Sequence, residues 1–258
     1  MGATMKRPNA LKFYDGPSEI DGSPIVGIVS GLVTRSRNLK TGDLFQTWIM
    51  PRDVKPNDAV KTGDDRGVCA DCRMRPKEHK LLSADDPFRL LHPCYVKTFQ
   101  GPRSVWQGTH DLDVASVDDI ANAANRRTGL RFGAWGDPAS IPLAAWQIFL
   151  RVMHASIDLD RSPGYTHQWE TCDPLWARYV MASVHSSDER RRAKARGFRT
   201  FRIITDLDDL ESGEVLCVHV THGTQCVDCG LCDGTNLRST MTGAMMDGRK
   251  DVAIYIHR

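Results

Sequence analysis

Short apolar runs alternate with helical segments from Ser116 onward, and this alternation constrains the fold more than any other feature of the chain. The runs are rich in β-branched and aromatic residues and are bounded by turn residues, which is typical of strands. The predicted strands are 130–135, 179–184, 199–205, 214–220 and 252–256, with a short extended segment at 164–168. The predicted helices are 117–127, 143–154 and 187–196. Strands separated by helices pair in parallel, because a parallel pair needs a long crossover connection.

The apolar runs are nearly continuous, as expected of strands that are buried on both faces of a sheet. With those predicted nearer the N-terminus, the strands number about eight. We therefore expect an α/β fold, namely a small and irregular TIM-like (β/α) barrel with a β-rich N-terminal extension. An open, doubly wound parallel sheet is the alternative.

No internal repeat, low-complexity tract or Ser/Gly linker divides the chain, so we expect one domain over residues 1–258. Residues 1–66 are predicted to form its β-rich N-terminal segment, with strands at 24–33 and 44–50. The polar stretch 51–68 is predicted to be a surface loop. Residues 67–258 are predicted to be a cysteine-bearing core of strands and helices.

Charge and hydropathy exclude several classes of protein. Lys and Arg total 34 against 32 Asp and Glu, a net charge of +2 that indicates neither a nucleic-acid nor a membrane partner. No apolar run approaches the roughly 18 residues of a membrane span, and the N-terminal sequence lacks an apolar signal segment. We expect a cytoplasmic protein, where disulfides are rare, so its 8 cysteines need another explanation.

Three of these cysteines lie at a spacing typical of iron–sulfur ligands. Cys226, Cys229 and Cys232 form a C-x2-C-x2-C run, which matches three of the four ligands of a bacterial ferredoxin motif. A [4Fe–4S] cluster takes four ligands, and Cys217, in a predicted strand just upstream, is the nearest further thiol. The alternative is that some of these residues are ordinary buried cysteines.

A second cysteine group lies nearer the N-terminus. Cys69 and Cys72 form a C-x2-C pair, and Cys94 follows. Such a pair can be half of a zinc site, a redox pair or part of a cluster, and His79 and His92 are near enough in sequence to complete a zinc site. The two groups either meet at one site or hold separate centres. The remaining Cys172 has no spaced partner and is predicted to pack in the core.

Several segments, taken together, resemble an uncharacterised protein family of tailed bacteriophages and prophages. They are CADC, CYVKTFQGPRSVW, LRFGAWGDPASIPLAAW, GYTHQW, YVMASV, RGFRTFRII and CVDCGLCDG, in that order from Val68 onward. The resemblance implies a barrel-type α/β protein of the bacterial host cytoplasm, without an established activity. It implies an iron–sulfur-like pattern at Cys69, Cys72, Cys94, Cys217, Cys226, Cys229 and Cys232. The chain departs from the pattern in a longer stretch after Cys72 and in Val218-His219, where the family has Pro-Ala.

Other candidate site residues follow predicted strands, because barrel enzymes place their chemistry at the carboxyl ends of strands. Asp137 and His167 are predicted catalytic residues, with a turn-capping aspartate and a structural histidine as the alternatives. Tyr165 and Arg202 are predicted to contact a cofactor. The basic helix after Ser187 is predicted to be a solvated outer helix rather than a phosphate-binding surface.

These features lead to three hypotheses of function. The first is an iron–sulfur protein with a [4Fe–4S] cluster and redox or radical chemistry, acting on an unknown small molecule or redox partner. Radical S-adenosylmethionine enzymes are an analogy, since three thiolates leave one iron free. The second is a zinc-binding accessory protein that contacts nucleic acid, which the near-neutral charge does not favour. The third is a cluster with a purely structural role.

Overall fold

The computed structural model describes residues 7–90, 94–234 and 250–255, and it shows a mixed α/β protein whose strands are mostly parallel. The strands in these ranges are β1 (Ala10–Pro17), β2 (Pro24–Ser30), β3 (Phe45–Pro51), β4 (Leu130–Trp135), β5 (Tyr165–Thr166), β6 (Met181–Val184), β7 (Thr200–Ile204), β8 (Glu214–Leu216) and β9 (Asp251–Tyr255). The helices are α1 (Pro56–Thr62), α2 (Arg66–Cys69), α3 (Pro76–Leu81), α4 (Gly101–Thr109), α5 (Val117–Ala123), α6 (Leu143–Val152), α7 (Ser187–Ala195), α8 (Val218–His222) and α9 (Cys226–Cys229).

The first sheet has the strand order β1-β2-β3-β4. Its first three strands form an antiparallel meander, and β4 then pairs in parallel with β3. The two strands predicted near the N-terminus are confirmed as β2 and β3. The expectation of a loop over 51–68 is wrong, because Pro56 begins α1 and Gly63, at φ 94°, ends it.

The second sheet is parallel throughout, in the order β5-β6-β7-β9-β8. An isolated parallel bridge between Phe132 of β4 and Gly164, just before β5, places the two sheets side by side. The α/β class is therefore confirmed. Within the described residues no ladder joins β8 to β1, so a closed TIM-like barrel is not shown.

The strand predicted over 214–220 is wrong beyond Leu216. The Cys217 amide donates to the carbonyl of Ala253, and the chain then turns into α8, which ends at Gly223 in the left-handed region. Strand propensity depends on context, and β8 ends here although its neighbour β9 continues to Tyr255 beside β7. Cys217 consequently lies at a strand end, not inside a strand.

The two faces of the parallel sheet bear different residues. On one face, Ala182 and Val184 of β6 pack in the main hydrophobic core with Ala193 of α7. The same face carries buried ion pairs, including Arg190–Asp251 at 2.8 Å. The opposite face packs Met181 and Val252 against the segment that contains the C-terminal cysteines. This segment therefore lies against the sheet on the side away from α7.

The main core extends from β1 to α7. Aromatic residues form its centre, with the Phe13 and Phe149 rings 4.4 Å apart and Trp146 edge-on to Trp176 at 6.0 Å. Trp146 lies in α6, and its indole N–H donates to the Pro138 carbonyl at 3.0 Å. This bond fixes the loop after β4, where one group of candidate site residues lies.

Candidate metal centres

Four cysteines line one recess on the face of the parallel sheet away from α7. We call Cys217, Cys226, Cys229 and Cys232 the recess cysteines. The recess is partly open to solvent, and Phe201, Val252 and Tyr165 form its sheet side. Cys217 is contributed by the end of β8, and the other three by α9 and the turn that follows it. The structure thus brings the predicted triplet and its predicted fourth ligand together.

The loop before β3 packs on the outer side of the segment that carries the recess cysteines. The Cys226 and Val227 amides donate to the carbonyls of Lys40 and Thr41 at 3.0 and 3.1 Å. The Gly42 α-carbon lies so close to this segment that a β-carbon there would be 2.6 Å from the Val227 side chain. A loop that precedes β3 therefore packs directly on the cysteine-bearing helix α9.

Burial and neighbouring charges raise the pKa of three recess thiols, those of Cys226, Cys229 and Cys232. Burial raises the pKa of Cys232 to about 12 and also raises the pKa of Cys226 and Cys229, and the neighbouring thiols add to it. The charges of Lys40 and Arg131 act in the opposite direction on Cys226. Without a bound cation these thiols are protonated at neutral pH, and a cation that displaces the protons can bind the thiolates.

The four recess cysteines supply sulfur donors for a metal centre. Within the described ranges, no three Cys, His, Asp or Glu side chains converge closely enough to hold a single metal ion. A tetrahedral zinc ion with bonds of about 2.3 Å needs its sulfurs about 3.8 Å apart. An inorganic cluster, by contrast, carries its ligands around a volume. Four cysteine thiolates are the type and number of donors that one such cluster takes.

A second group lies at the carboxyl ends of the parallel strands, and we call Cys69, Cys72 and Cys94 the edge cysteines. The Cys72 amide donates to the Cys69 carbonyl at 3.2 Å, and the Cys94 amide donates to the Met74 carbonyl at 2.6 Å. These bonds bring the third cysteine back beside the C-x2-C turn. Burial raises the pKa of Cys69, and the charges of Cys72 and Cys94 raise it further.

His167, directly after β5, contacts one edge cysteine. Its Nε2 lies 3.5 Å from Cys72 Sγ. Burial alone would lower the pKa of His167, but Cys72 and then Asp137 raise it to about 9. Burial would likewise raise the pKa of Cys72, whereas His167 and a Met74 backbone hydrogen bond lower it below its ordinary value. The contact therefore favours the charged form of each partner, the imidazolium of His167 and the thiolate of Cys72.

Asp137, directly after β4, orients His167 through its backbone. One carboxylate oxygen accepts from the Ala139 amide at 3.0 Å, and the other accepts from the His167 amide at 2.7 Å. The Asp137 amide in turn donates to the Val68 carbonyl, next to Cys69. Asp137 therefore caps the turn after β4 and joins the ends of two strands to the edge cysteines. Its predicted catalytic role stays a prediction, as does that of His167.

Sequence reasoning gave no role to His185, which follows β6. Its ring lies 5.8 Å from that of His167, and both of its nitrogens are buried without a hydrogen-bond partner in the described structure. Burial and the charge of His167 lower the pKa of His185 to about 3, so the ring is neutral. The only sequence signal was its place after a predicted strand, in line with Asp137 and His167.

Arg131 and Tyr95 lie between the edge cysteines and the recess cysteines, and the sequence pattern did not indicate them. Arg131 of β4 donates to the Tyr95 hydroxyl at 2.9 Å, next to Cys94. Burial raises the pKa of both Cys94 and Cys226, and the charge of Arg131 acts against this rise in each. Arg131 thus lies within electrostatic reach of an edge cysteine and a recess cysteine.

The predicted cofactor contacts divide between the two faces of the sheet. Tyr165 lines the recess and forms a hydrogen bond with Cys232; burial and that thiol raise the pKa of the tyrosine. Arg202 lies on the other face, because neighbouring residues of a strand point to opposite faces and Phe201 faces the recess. Its guanidinium is bound to Glu214 and to the Asp209 carbonyl. The structure does not bring Arg202 to either cysteine group.

The remaining residues considered in the sequence analysis form contacts away from both cysteine groups or lie outside the described residues. The His79 ring contacts the Phe88 carbonyl at 3.0 Å, and His92 lies outside the described residues. Cys172 packs against the main core. The cations of α7 are bound to carboxylates: Arg190 to Glu211 and Asp251, Arg191 to Asp188, Arg192 to Glu170, and Lys194 to Asp251.

Comparisons with protein-family models, with curated proteins and with solved structures found no significant match. The resemblance to the phage family therefore stays a prediction. In the part of the chain that the structure describes, no helix has both the length and the apolar character to cross a bilayer.

Proposed function

We propose that this is an iron–sulfur protein in which the recess cysteines ligate one [4Fe–4S] cluster. The observation that carries the proposal is that four thiols, three of them at C-x2-C-x2-C spacing, line one recess. Four thiolates are the complete ligand set of such a cluster. When bound, the cluster would supply one-electron redox chemistry.

The other residues of the recess suit this role. Lys40 beside Cys226 offsets the negative charge that four thiolates would add. Tyr165, hydrogen-bonded to Cys232, is placed to set the polarity around a cluster sulfur. Phe201 and Val252 exclude water from the sheet side. Charge, hydrogen bonds and solvent exposure are the properties by which a protein adjusts a cluster potential.

We further propose that the parallel strands from β3 to β8 form part of a TIM-like barrel. In that fold the carboxyl ends of the strands carry the chemistry. Asp137, His167 and His185 follow consecutive strands of this run, and the edge cysteines lie beside them. Redox or radical chemistry on a small molecule at this edge is the class of reaction that we infer.

Metal analysis of the anaerobically purified chain tests the recess cluster. We expect a brown protein with broad absorption near 400 nm, about four iron atoms bound at the recess and an equal amount of sulfide. Cys226→Ser with Cys229→Ser should remove that iron. Cys172→Ser is the matched control, because it removes a thiol from the core and should keep the iron.

Two results would contradict the proposal. One is a colourless protein that carries stoichiometric zinc and neither iron nor sulfide, which would favour the zinc-binding alternative. The other is a double variant at Cys226 and Cys229 that folds and keeps all its iron.

A further inference from the structure

We propose that the edge cysteines hold a second, separate cluster that has only three cysteine ligands and therefore binds an external ligand at its fourth iron. The inference extends the proposed function to a second centre. It rests on the position of the edge cysteines, on their contact with His167, and on the two ring nitrogens of His185, which have no hydrogen-bond partner in the described structure.

The two cysteine groups lie at opposite ends of β5. Before the strand, the Gly164 amide donates to the carbonyl of Cys232 at 3.1 Å. After the strand, the His167 ring contacts Cys72. At about 3.3 Å per residue, the three steps from Gly164 to His167 span roughly 10 Å. The groups are therefore close neighbours, but each has its own strand end and its own set of thiols.

The donor sets of the two groups differ in number. The recess contains four cysteines, which leaves no iron of a [4Fe–4S] cluster without a protein ligand. The edge contains three, and the chain's remaining cysteine, Cys172, packs against the core. His167 contacts the Cys72 sulfur itself, so its ring is placed to donate a hydrogen bond to a ligating thiolate. The described residues offer the edge no fourth cysteine, so one iron of a cluster there would be left for a molecule from solution.

The surroundings of the edge cysteines suit a bound ligand. The carboxyl ends of parallel strands are where α/β proteins bind small molecules, since the loops there converge. His185 follows β6 at this edge, and neither of its buried ring nitrogens has a hydrogen-bond partner in the described structure. Buried polar atoms are normally satisfied, so this ring is available to a ligand that arrives at the open iron. The expected ligand is small and has an oxygen, nitrogen or carbon donor.

Iron counting in paired variants tests the second cluster. We expect about eight iron atoms in the natural chain, and about four in either double variant, Cys69→Ser/Cys72→Ser or Cys226→Ser/Cys229→Ser. A natural chain with about four irons, all retained by the Cys69/Cys72 variant, would overturn the second cluster. Zinc in place of iron at the edge, measured in the Cys226/Cys229 variant, would also overturn it. If instead the Cys226/Cys229 variant keeps all its iron, the recess proposal fails on its own.

Cyanide is the probe for the open iron. After reduction, ¹³C-cyanide should give a carbon hyperfine coupling in the natural chain and in the Cys226/Cys229 variant, but none in the Cys69/Cys72 variant. No coupling in any of the three would overturn the open position. Loss of edge iron in Cys172→Ser would overturn it as well, since the centre would then have a fourth cysteine.

If the Cys69→Ser/Cys72→Ser variant does not fold, His167→Ala provides a second test that keeps all the cysteines. His167→Ala should retain about eight irons and change the EPR signal of one cluster only. Unchanged signals from both clusters would contradict the contact between His167 and a ligating thiolate. His185→Ala should keep both EPR signals and weaken cyanide binding severalfold, and unchanged cyanide binding would remove His185 from the ligand site.

Discussion

The recess and the edge bring thiols together in different ways. The recess cysteines belong to one short segment, and the sheet and the loop before β3 only close it. The edge cysteines, by contrast, depend on residues that follow β4 and β5, far along the chain, for their surroundings. A local motif thus makes the first site, and the meeting of distant strand ends makes the second. Substitutions that act on one support and not on the other can test this difference.

The largest loss of stability is expected on the α7 side of the parallel sheet, because both cysteine groups depend on that sheet. The buried Asp251 carboxylate binds Arg190 at 2.8 Å and Lys194 at 2.9 Å. Asp251→Asn should lower the free energy of unfolding by about 3 kcal/mol at pH 7, because a buried ion pair loses one partner. Mild urea should then release iron from the recess and the edge alike. Asp188→Asn, on the exposed side of α7, is the control and should change stability by less than about 0.5 kcal/mol.

The pH dependence of this effect has a defined sign. Burial would raise the pKa of Asp251, but hydrogen bonds from Lys194, from the Thr200 amide and from Arg190 hold it below its ordinary value. A carboxylate with a lowered pKa contributes stability above the unfolded value of about 4, and this contribution is lost as the pH falls through the folded value. Urea unfolding should therefore show the difference between the natural chain and Asp251→Asn shrinking below about pH 4. A constant difference would contradict the assignment.

An intermediate effect is expected from Asp137→Asn, which acts on the edge alone. The asparagine has one acceptor oxygen for two buried amides, so either Ala139 or His167 loses its partner. We expect a loss of about 2 kcal/mol and a changed EPR signal from the edge cluster, with the recess signal unchanged. Thermal unfolding and EPR measure the two effects.

The control for Asp137→Asn is Asp173→Asn. Asp173 caps a similar short turn, accepting from the Leu175 amide at 2.8 Å, but it is exposed and asparagine caps equally well. It should have almost no effect. If Asp137→Asn disturbed the recess signal as much as the edge signal, the two sites would not have separate supports.

The smallest effect is expected from Gly42→Ala, which acts on the recess alone. Gly42 has φ 72°, and an added β-carbon would lie 2.6 Å from the Val227 side chain. The left-handed backbone costs an alanine about 1–2 kcal/mol, and the contact should loosen the loop from α9. We expect a chelator to remove recess iron severalfold faster, with edge iron unaffected.

Gly22→Ala separates backbone strain from contact. Gly22 has φ 74°, and a β-carbon there would meet nothing within 4 Å. Both variants should lose the stability that the left-handed backbone costs, but only Gly42→Ala should release recess iron faster. Equal release rates in the two variants would show that the loop before β3 does not support the recess.

The sequence predicted local features of the fold well and distant ones poorly. The strand over Leu130–Trp135 was found with its bounds, because its apolar run and turn residues are local. The C-x2-C-x2-C spacing likewise indicated which thiols would share the recess. The sequence did not predict that the chain leaves the sheet at residues 217–220. The end of β8 depends on its pairing with β9, and β9 follows the cysteine-bearing segment in the chain.

The same limit applies to individual side chains at the sites. Arg202 was assigned to a cofactor on its charge, but the pleat of β7 turns it toward Glu214 on the other face. His185 and Arg131 carry no motif, and only the arrangement of β4, β5 and β6 places them near the thiols. A one-residue change of strand register would move each of them to the opposite face.

The contact between the loop before β3 and α9 has a consequence for biosynthesis. The Gln225 side chain donates to the Leu39 carbonyl across 186 residues. At about 5–20 residues per second, the ribosome needs roughly 10–40 s to add that length of chain. The Leu39 loop emerges first and waits for its partner throughout that interval. Iron delivery to the recess would accordingly be a late event, directed at a nearly complete chain rather than a nascent one.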